Sequence, residues 1–382
     1  MKHGFGTTLL LTMLGLVALP GMAQAAKLAA ITLQKIPRPH AAQPHLKGVP
    51  VPKEVHAKLR PLPAELTQLM PFDISPFPFD GVKPNEGLFL NVFASGRRGH
   101  ATSHGGTYWE DTTYSDRRVL LSIPKGFDVR KPAVMVVFFH GNGATLERDV
   151  LKRQKVVLQV AQSGLNAVLV APQFAVDAVD SSAGSFWQPG TFRQFLDEAA
   201  VRLVELYGDE RTRKPFAKMP VVLVAYSGGY LPAAWSLSSG GADDRIHGVV
   251  LLDAIYGEAP KFAEWVASKP GRTGFFVSTY TGSSANGNRD LQNLLAQRQI
   301  SLTHALPPKL SKGTVAFVPA LPNAVHGDFV THAFADNPIK EVLLRLPEFA
   351  HVPGKVKSTY KPIIVQQQVL QDAVPADPNQ PQ

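Results

Sequence analysis

Residues 221–235 read VVLVAYSGGYLPAAW: an apolar run that stops at a serine, followed by two glycines and a helix-forming stretch. Ser227 has Ala225 two residues before it and Gly229 two residues after. Small residues at those positions are what a sharp strand-to-helix corner needs, because larger side chains would collide where the chain folds back. Such a corner forces the serine into an unfavourable backbone conformation and pushes its hydroxyl out above the sheet. The amide of Gly228 and the start of the following helix would then face any negative charge developing nearby. The chemistry this suits is nucleophilic attack by the Ser227 hydroxyl, which at neutral pH needs a base to take its proton. The plainer alternative is an ordinary strand-to-helix turn.

The rest of the chain must supply the frame. Apolar runs recur as GLFLNVF, RVLLSIP, AVMVVFFH, NAVLVAPQ, VVLVAYS, GVVLLD, GFFVSTYT and TVAFVPA. The later ones are continuous, as expected of strands buried on both faces. Helical spacing is expected over 147–163, 191–207, 230–239, 260–268, 288–298 and 338–346. In the second of these, Phe192, Phe195, Ala199, Leu203 and Leu206 fall on one face. Strand and helix in alternation predict an α/β fold: a mostly parallel, eight-stranded sheet with helices on both faces. The first two runs, joined by a polar, glycine-rich connection, are expected to form an antiparallel edge. On this layout Ser227 ends the fifth strand.

Composition sets outer limits. The chain has 382 residues, is 45% hydrophobic and contains no cysteine. Disulfides, thiolate metal sites and cysteine nucleophiles are therefore excluded. The formal net charge is +9, but seven basic residues and a single acid lie between Ala26 and Leu62, so the body is nearly neutral. The charge belongs to an extension, which disfavours a nucleic-acid partner and allows a weak contact with an anionic cell envelope.

Lys2, the apolar run Leu9 to Leu19 and Ala23-Gln24-Ala25 read as a signal peptide over 1–25, predicting a periplasmic or secreted bacterial protein. That apolar run is too short to span a bilayer comfortably, and no other approaches the length of a transmembrane segment. Residues 26–85 read as a basic, proline-rich extension that packs on the body through Phe72, Phe77 and Phe79. Residues 86–350 read as the main domain, and 351–382 as a proline- and glutamine-rich tail.

Three motifs, FFHGNGAT at 138–145, AYSGGY at 225–230 and NAVHGDF at 323–329, resemble those of the α/β-hydrolases and occur in that family's order. The resemblance covers residues 87–346, with Ala225 where glycine is commoner. It implies an α/β-hydrolase fold without a large cap domain, and a Ser-His-Asp serine hydrolase needing no cofactor. Under it, Ser227 is the nucleophile, and Asn142, after His-Gly, offers the second oxyanion amide opposite Gly228. His326 is the base, in a turn that hangs over the nucleophile, with His332 or His104 as substitutes. His140 is a structural residue. The acid is Asp253, at the end of GVVLLD, or Asp290, in the loop TGSSANGNRD after the following strand.

The stretch PQFAVDAVDSSAGSFWQPGTF, 172–192, is expected on the rim of the site, with Asp177 and Asp180 capping turns or meeting a polar substrate group. Tyr226 and Tyr230 line the acyl pocket or pack inward. An acyl substrate, small or polymeric, follows, with a carboxylic ester as the expected bond. Amide or peptide cleavage, acyl transfer with the same triad, and a catalytically silent envelope-binding protein are the alternatives. The chain has no H-E-x-x-H cluster for a metal and no G-x-G-x-x-G strand-helix unit for a dinucleotide.

Overall fold

The computed structural model describes residues 58–84, 86–102, 105–352 and 356–362. The expected signal peptide, most of the basic extension, His104 and the end of the tail lie outside the described residues. Along the chain the strands are β1 (Leu66–Pro71), β2 (Val92–Ala94), β3 (Arg97–Ala101), β4 (Thr107–Trp109), β5 (Arg118–Ile123), β6 (Val134–Phe139), β7 (Ala167–Pro172), β8 (Val221–Tyr226), β9 (Ile246–Leu252), β10 (Phe275–Tyr280) and β11 (Thr314–Pro319).

Eight of them form one sheet in the order β1-β5-β7-β6-β8-β9-β10-β11. β1 pairs antiparallel with β5 and β5 antiparallel with β7. From β7 to β11 all neighbours are parallel. This is the α/β-hydrolase arrangement: within the sheet the strands fall in the order first, second, fourth, third, then fifth to eighth.

Alternation along each strand explains why its sequence is apolar throughout. Met135, Val137 and Phe139 of β6 enter one core with Phe192 and Phe195 of the helix Thr191–Tyr207, Ala233 of Tyr230–Ser238, Phe262 of Ala259–Ala267 and Leu291 of Ala285–Gln297. Val134, Val136 and Phe138 enter a second core with Leu146, Val160 and Ile339 from helices on the opposite face. A strand that feeds two cores has no side left for polar residues. No helix among the described residues is long and apolar enough to cross a membrane.

The structure departs from expectation in three places. GLFLNVF is not a strand of the main sheet. Phe89 is buried, but Val92–Ala94 pairs with β3 in a small antiparallel sheet with β4. The outer edge of the main sheet is instead β1, from the segment expected to be an extension, with Leu66 opposite Ile123 and Pro71 opposite Arg118. Proline costs little there because an edge strand has one side without a ladder partner.

The folded body therefore begins near Leu62, which already belongs to the core, rather than at residue 86. Phe72, Phe77 and Phe79 are buried, with Phe72 against Phe195 at 5.5 Å between ring centroids. Finally, the expected helix 147–163 is two helices, Leu146–Arg153 and Val156–Gln162. Lys155, at φ 53°, breaks the chain between them.

Candidate active site

Parallel strands end at the same edge of a sheet, and the loops that follow them share that edge. Asn142 follows β6, residues 173–190 follow β7, Ser227 follows β8, Asp253 follows β9, and the His326 turn follows β11. Ser227 has φ 50°, in the left-handed region that costs a non-glycine residue roughly 1–3 kcal/mol. Its two glycines answer to close packing. A Cβ on Gly229 would lie 2.6 Å from the Phe139 carbonyl oxygen, and one on Gly228 would lie 2.1 Å from Asn142 Oδ1. One tight turn, Ser227–Gly229, then passes into the helix Tyr230–Ser238.

Ser227 Oγ lies 2.8 Å from His326 Nε2, and His326 Nδ1 lies 2.6 Å from Asp253 Oδ2. The Asp253 side chain is fully buried. Its oxygens accept from the Thr281 amide at 2.9 Å, the Thr281 hydroxyl at 2.8 Å, the Ser283 hydroxyl at 2.9 Å and the Ser284 hydroxyl. Burial alone would raise this carboxyl, but the hydrogen bonds from His326, Ser284 and Thr281 outweigh it and hold Asp253 well below the usual carboxylate range. An ionised Asp253 only accepts, so His326 Nδ1 carries the hydrogen and Nε2 presents a lone pair to the serine. That arrangement can draw the proton from Ser227.

The turn holding His326 is fixed from below. The Tyr226 hydroxyl donates to the His326 carbonyl at 2.7 Å, and the two rings stack at 5.3 Å. Tyr226 is 5% exposed and belongs to the core, so of its two expected placements it takes the inward one, supporting the histidine from beneath. Tyr230 is partly buried, with its ring 6.0 Å from that of Tyr256. Asp290 sits exposed on the helix Ala285–Gln297, and His332 pairs with Asp336 at 2.9 Å.

The loop after β6 is held just as firmly. His140 is buried, and its Nε2 accepts from the Phe174 amide at 2.9 Å and faces Gln173 Nε2 at 3.0 Å. With donors on that side, Nδ1 carries the hydrogen and donates to the Gly141 carbonyl at 2.8 Å. Burial lowers the His140 pKa to about 4, so the ring is neutral. In a trans peptide the Asn142 N–H points opposite the Gly141 carbonyl, so His140 aims that amide. Ser181 Oγ lies 3.1 Å from Asn142 Oδ1, and the Gly143 amide donates to the Ala178 carbonyl at 2.7 Å, joining this loop to the rim. Asp180 accepts from the Ser182 amide at 3.0 Å and from the Tyr114 hydroxyl at 2.8 Å, while Asp177 pairs with Arg148 at 2.7 Å.

The sequence reading did not single out Thr281, Ser283, Ser284 or Tyr256, whose hydroxyl lies 3.0 Å from Ser283 Oγ and 3.3 Å from His326 Nδ1. The signal was present in the hydroxyl-rich start of TGSSANGNRD, directly after β10.

Neither the protein-family models nor the curated proteins include a match to this chain. Among solved structures it is similar to a serine-to-alanine mutant of the feruloyl esterase module from Clostridium thermocellum complexed with sinapinate, at 15% identity, 75% of this chain, 99% of that chain and TM-score 0.39. It is also similar to an IroE-like serine hydrolase from Shewanella oneidensis, at 14% identity, 55% and 70% coverage and TM-score 0.34. A third is a thermophilic esterase from Thermogutta terrifontis with butyrate bound, at 12% identity, 59% and 85% coverage and TM-score 0.34. At these identities and scores the likenesses carry no argument about activity. The fold rests on its strand order.

Proposed function

We propose that the chain is an exported serine hydrolase that cleaves a carboxylic ester through an acyl-enzyme. One observation carries the reading: the unbroken hydrogen-bond series Ser227–His326–Asp253, at 2.8 and 2.6 Å, ends on a buried carboxylate. In this reading Ser227 Oγ attacks the ester carbonyl carbon as its proton passes to His326 Nε2. The carbonyl oxygen, now negative, is held by the amides of Gly228 and Asn142. Collapse expels the alcohol oxygen, which takes the proton back from the imidazolium, leaving the acyl group on Ser227. Water then repeats the sequence and releases the acid. Asp253 stays ionised throughout and stabilises the imidazolium. Esters need less leaving-group help than amides, which favours an ester, small or polymeric, as the substrate. The N-terminal sequence supports export, and the basic extension supports a weak envelope contact.

The test is intact-mass spectrometry after treatment with a fluorophosphonate, beside a Ser227→Ala control. One adduct on the wild type and none on the variant is expected, followed by turnover on a panel of esters and, more slowly, amides. A folded wild type that takes up no adduct would refute the reading. Transfer to an added alcohol in preference to water would redirect it to acyl transfer.

A further inference from the structure

Asp149 takes no part in the chemistry above, yet it is a buried carboxylate, its side chain 6% exposed, near both loops that matter. Its Oδ2 accepts from the Thr145 amide at 2.8 Å and from Arg148 Nε at 2.9 Å, and its Oδ1 accepts from Arg153 Nε at 2.8 Å. Each arginine has a second hand. Arg148 Nη2 donates to the carbonyl of Gly143, the residue after Asn142. Arg153 Nη1 donates at 2.8 Å to the carbonyl of Gly327, the residue after His326, across 174 positions of sequence. Arg148 Nη1 also reaches Asp177 on the rim.

We propose that Asp149, with Arg148 and Arg153, is a positioning unit that fixes the oxyanion loop relative to the histidine turn. This rests on the hydrolase reading of the site. Capping explains only part of the arrangement: a helix start needs one acceptor for an early amide, and Thr145 already serves the Arg148 amide while Asp149 serves that of Thr145. Neither requirement calls for two guanidinium groups that end on different loops. The planar fork of arginine can hold a carboxylate by one edge and a carbonyl by another, which the single ammonium of lysine cannot reproduce.

A similar pair without the second hands exists in the same molecule. Asp128 is buried and binds Arg130 Nε and Nη2, each at 2.7 Å, just before β6 at the edge of the sheet away from Ser227. It is the internal control. Catalysis needs the oxyanion amides and His326 in register around one substrate carbonyl, and a misplacement of about 1 Å costs about 10²-fold.

The experiment compares Asp149→Asn, Arg148→Met, Arg153→Met, the double arginine variant and Arg130→Met in the full protein. Three readouts are taken well below each melting temperature: the second-order rate of phosphonylation of Ser227, kcat and KM on a short ester, and amide exchange of residues 141–145 and 325–330. Each single arginine change is expected to slow phosphonylation and kcat about tenfold, and Asp149→Asn about 10²-fold, with KM nearly unchanged. The double arginine variant should be no worse than Asp149→Asn, because all three act as one unit. Exchange should rise in both loops in the Asp149 variant, and Arg130→Met should match wild type in rate and exchange.

Wild-type rates in the folded arginine variants would overturn the proposal, as would a loss of equal size in Arg130→Met. A kcat loss with exchange raised in only one loop would overturn the coupling. If the wild type were not phosphonylated at all, the hydrolase reading would fall first and the catalytic part of this proposal with it. Exchange in the two loops would still decide whether Asp149 joins them.

Discussion

Two buried carboxylates flank the same site and are treated in opposite ways. Asp253 is surrounded by neutral donors, three hydroxyls and an amide, together with the ring nitrogen of His326. Asp149 is held by one amide and two permanently charged guanidinium groups. Both carboxyls are kept ionised against the cost of burial. Neutral donors lower a carboxyl without cancelling its charge, so the field of Asp253 remains available to an imidazolium. Around Asp149 the charge is already answered, and what is left is geometry. The residue type is the same; the partners decide whether it serves chemistry or shape.

The largest expected effect breaks the comparison at Asp253. Asp253→Asn keeps the shape but offers a donor to His326, which favours the wrong tautomer. Turnover should fall about 10⁴-fold, with the phosphonylation rate following it. An ester assay showing less than a tenfold loss would mean that Asp253 orients nothing.

A second expectation concerns acid. His140 is neutral in the folded protein, with its pKa lowered to about 4 by burial, while an unfolded histidine titrates near 6.5. Between about pH 6.5 and about pH 4 the unfolded chain therefore binds the extra proton. Stability should decline as pH falls through that window, by a few kcal/mol in all. Both carboxylates have depressed values, so their contribution is full above about pH 4 and is lost only below it. Melting temperatures across pH should thus show two stages of loss, and His140→Gln should shrink the upper one, to which His100 and His247, also lowered by burial, contribute the rest. A flat profile down to pH 4 would contradict the buried, neutral ring.

The smallest effect is at Tyr226. Its hydroxyl and Arg153 grip adjacent carbonyls, those of His326 and Gly327. Tyr226→Phe should cost about 1 kcal/mol of stability and a few-fold in kcat, read by thermal melts and steady-state kinetics. A loss as large as that of Asp149→Asn would shift the positioning role from the charged unit to the tyrosine.

Much of this was legible in the sequence, for reasons that can be named. Continuous apolar runs disclosed strands buried on both faces, and a serine between small residues after such a run disclosed the corner at Ser227. The family resemblance narrowed the acid to Asp253 or Asp290. The choice lay in the Thr281–Ser284 cradle, which comes from the neighbouring strand. β1 was hidden because none of its residues is fully buried, its apolar residues Leu66, Leu69 and Met70 follow no alternation, and it lies among prolines. Asp149 and Arg153, four apart, look like an ordinary surface pair on a helix. Only the fold shows that Arg153 also reaches Gly327.

The rim of the site has one further property, set by the order in which the chain is made. Residues 73–76 hold the rim from outside: the Asp73 and Ile74 amides bind Glu198, and the Ser185 amide and hydroxyl bind the carbonyls of Pro76 and Ser75. Gly184 comes so close that a Cβ there would lie 2.0 Å from the Pro76 carbonyl oxygen. These partners lie 108 to 125 positions apart. A segment synthesised early must wait for more than a hundred later residues before it has anything to bind. Closing so long a loop costs entropy and slows folding. The wall of the site therefore cannot set until the chain has been made as far as Glu198, however early residues 73–76 emerge.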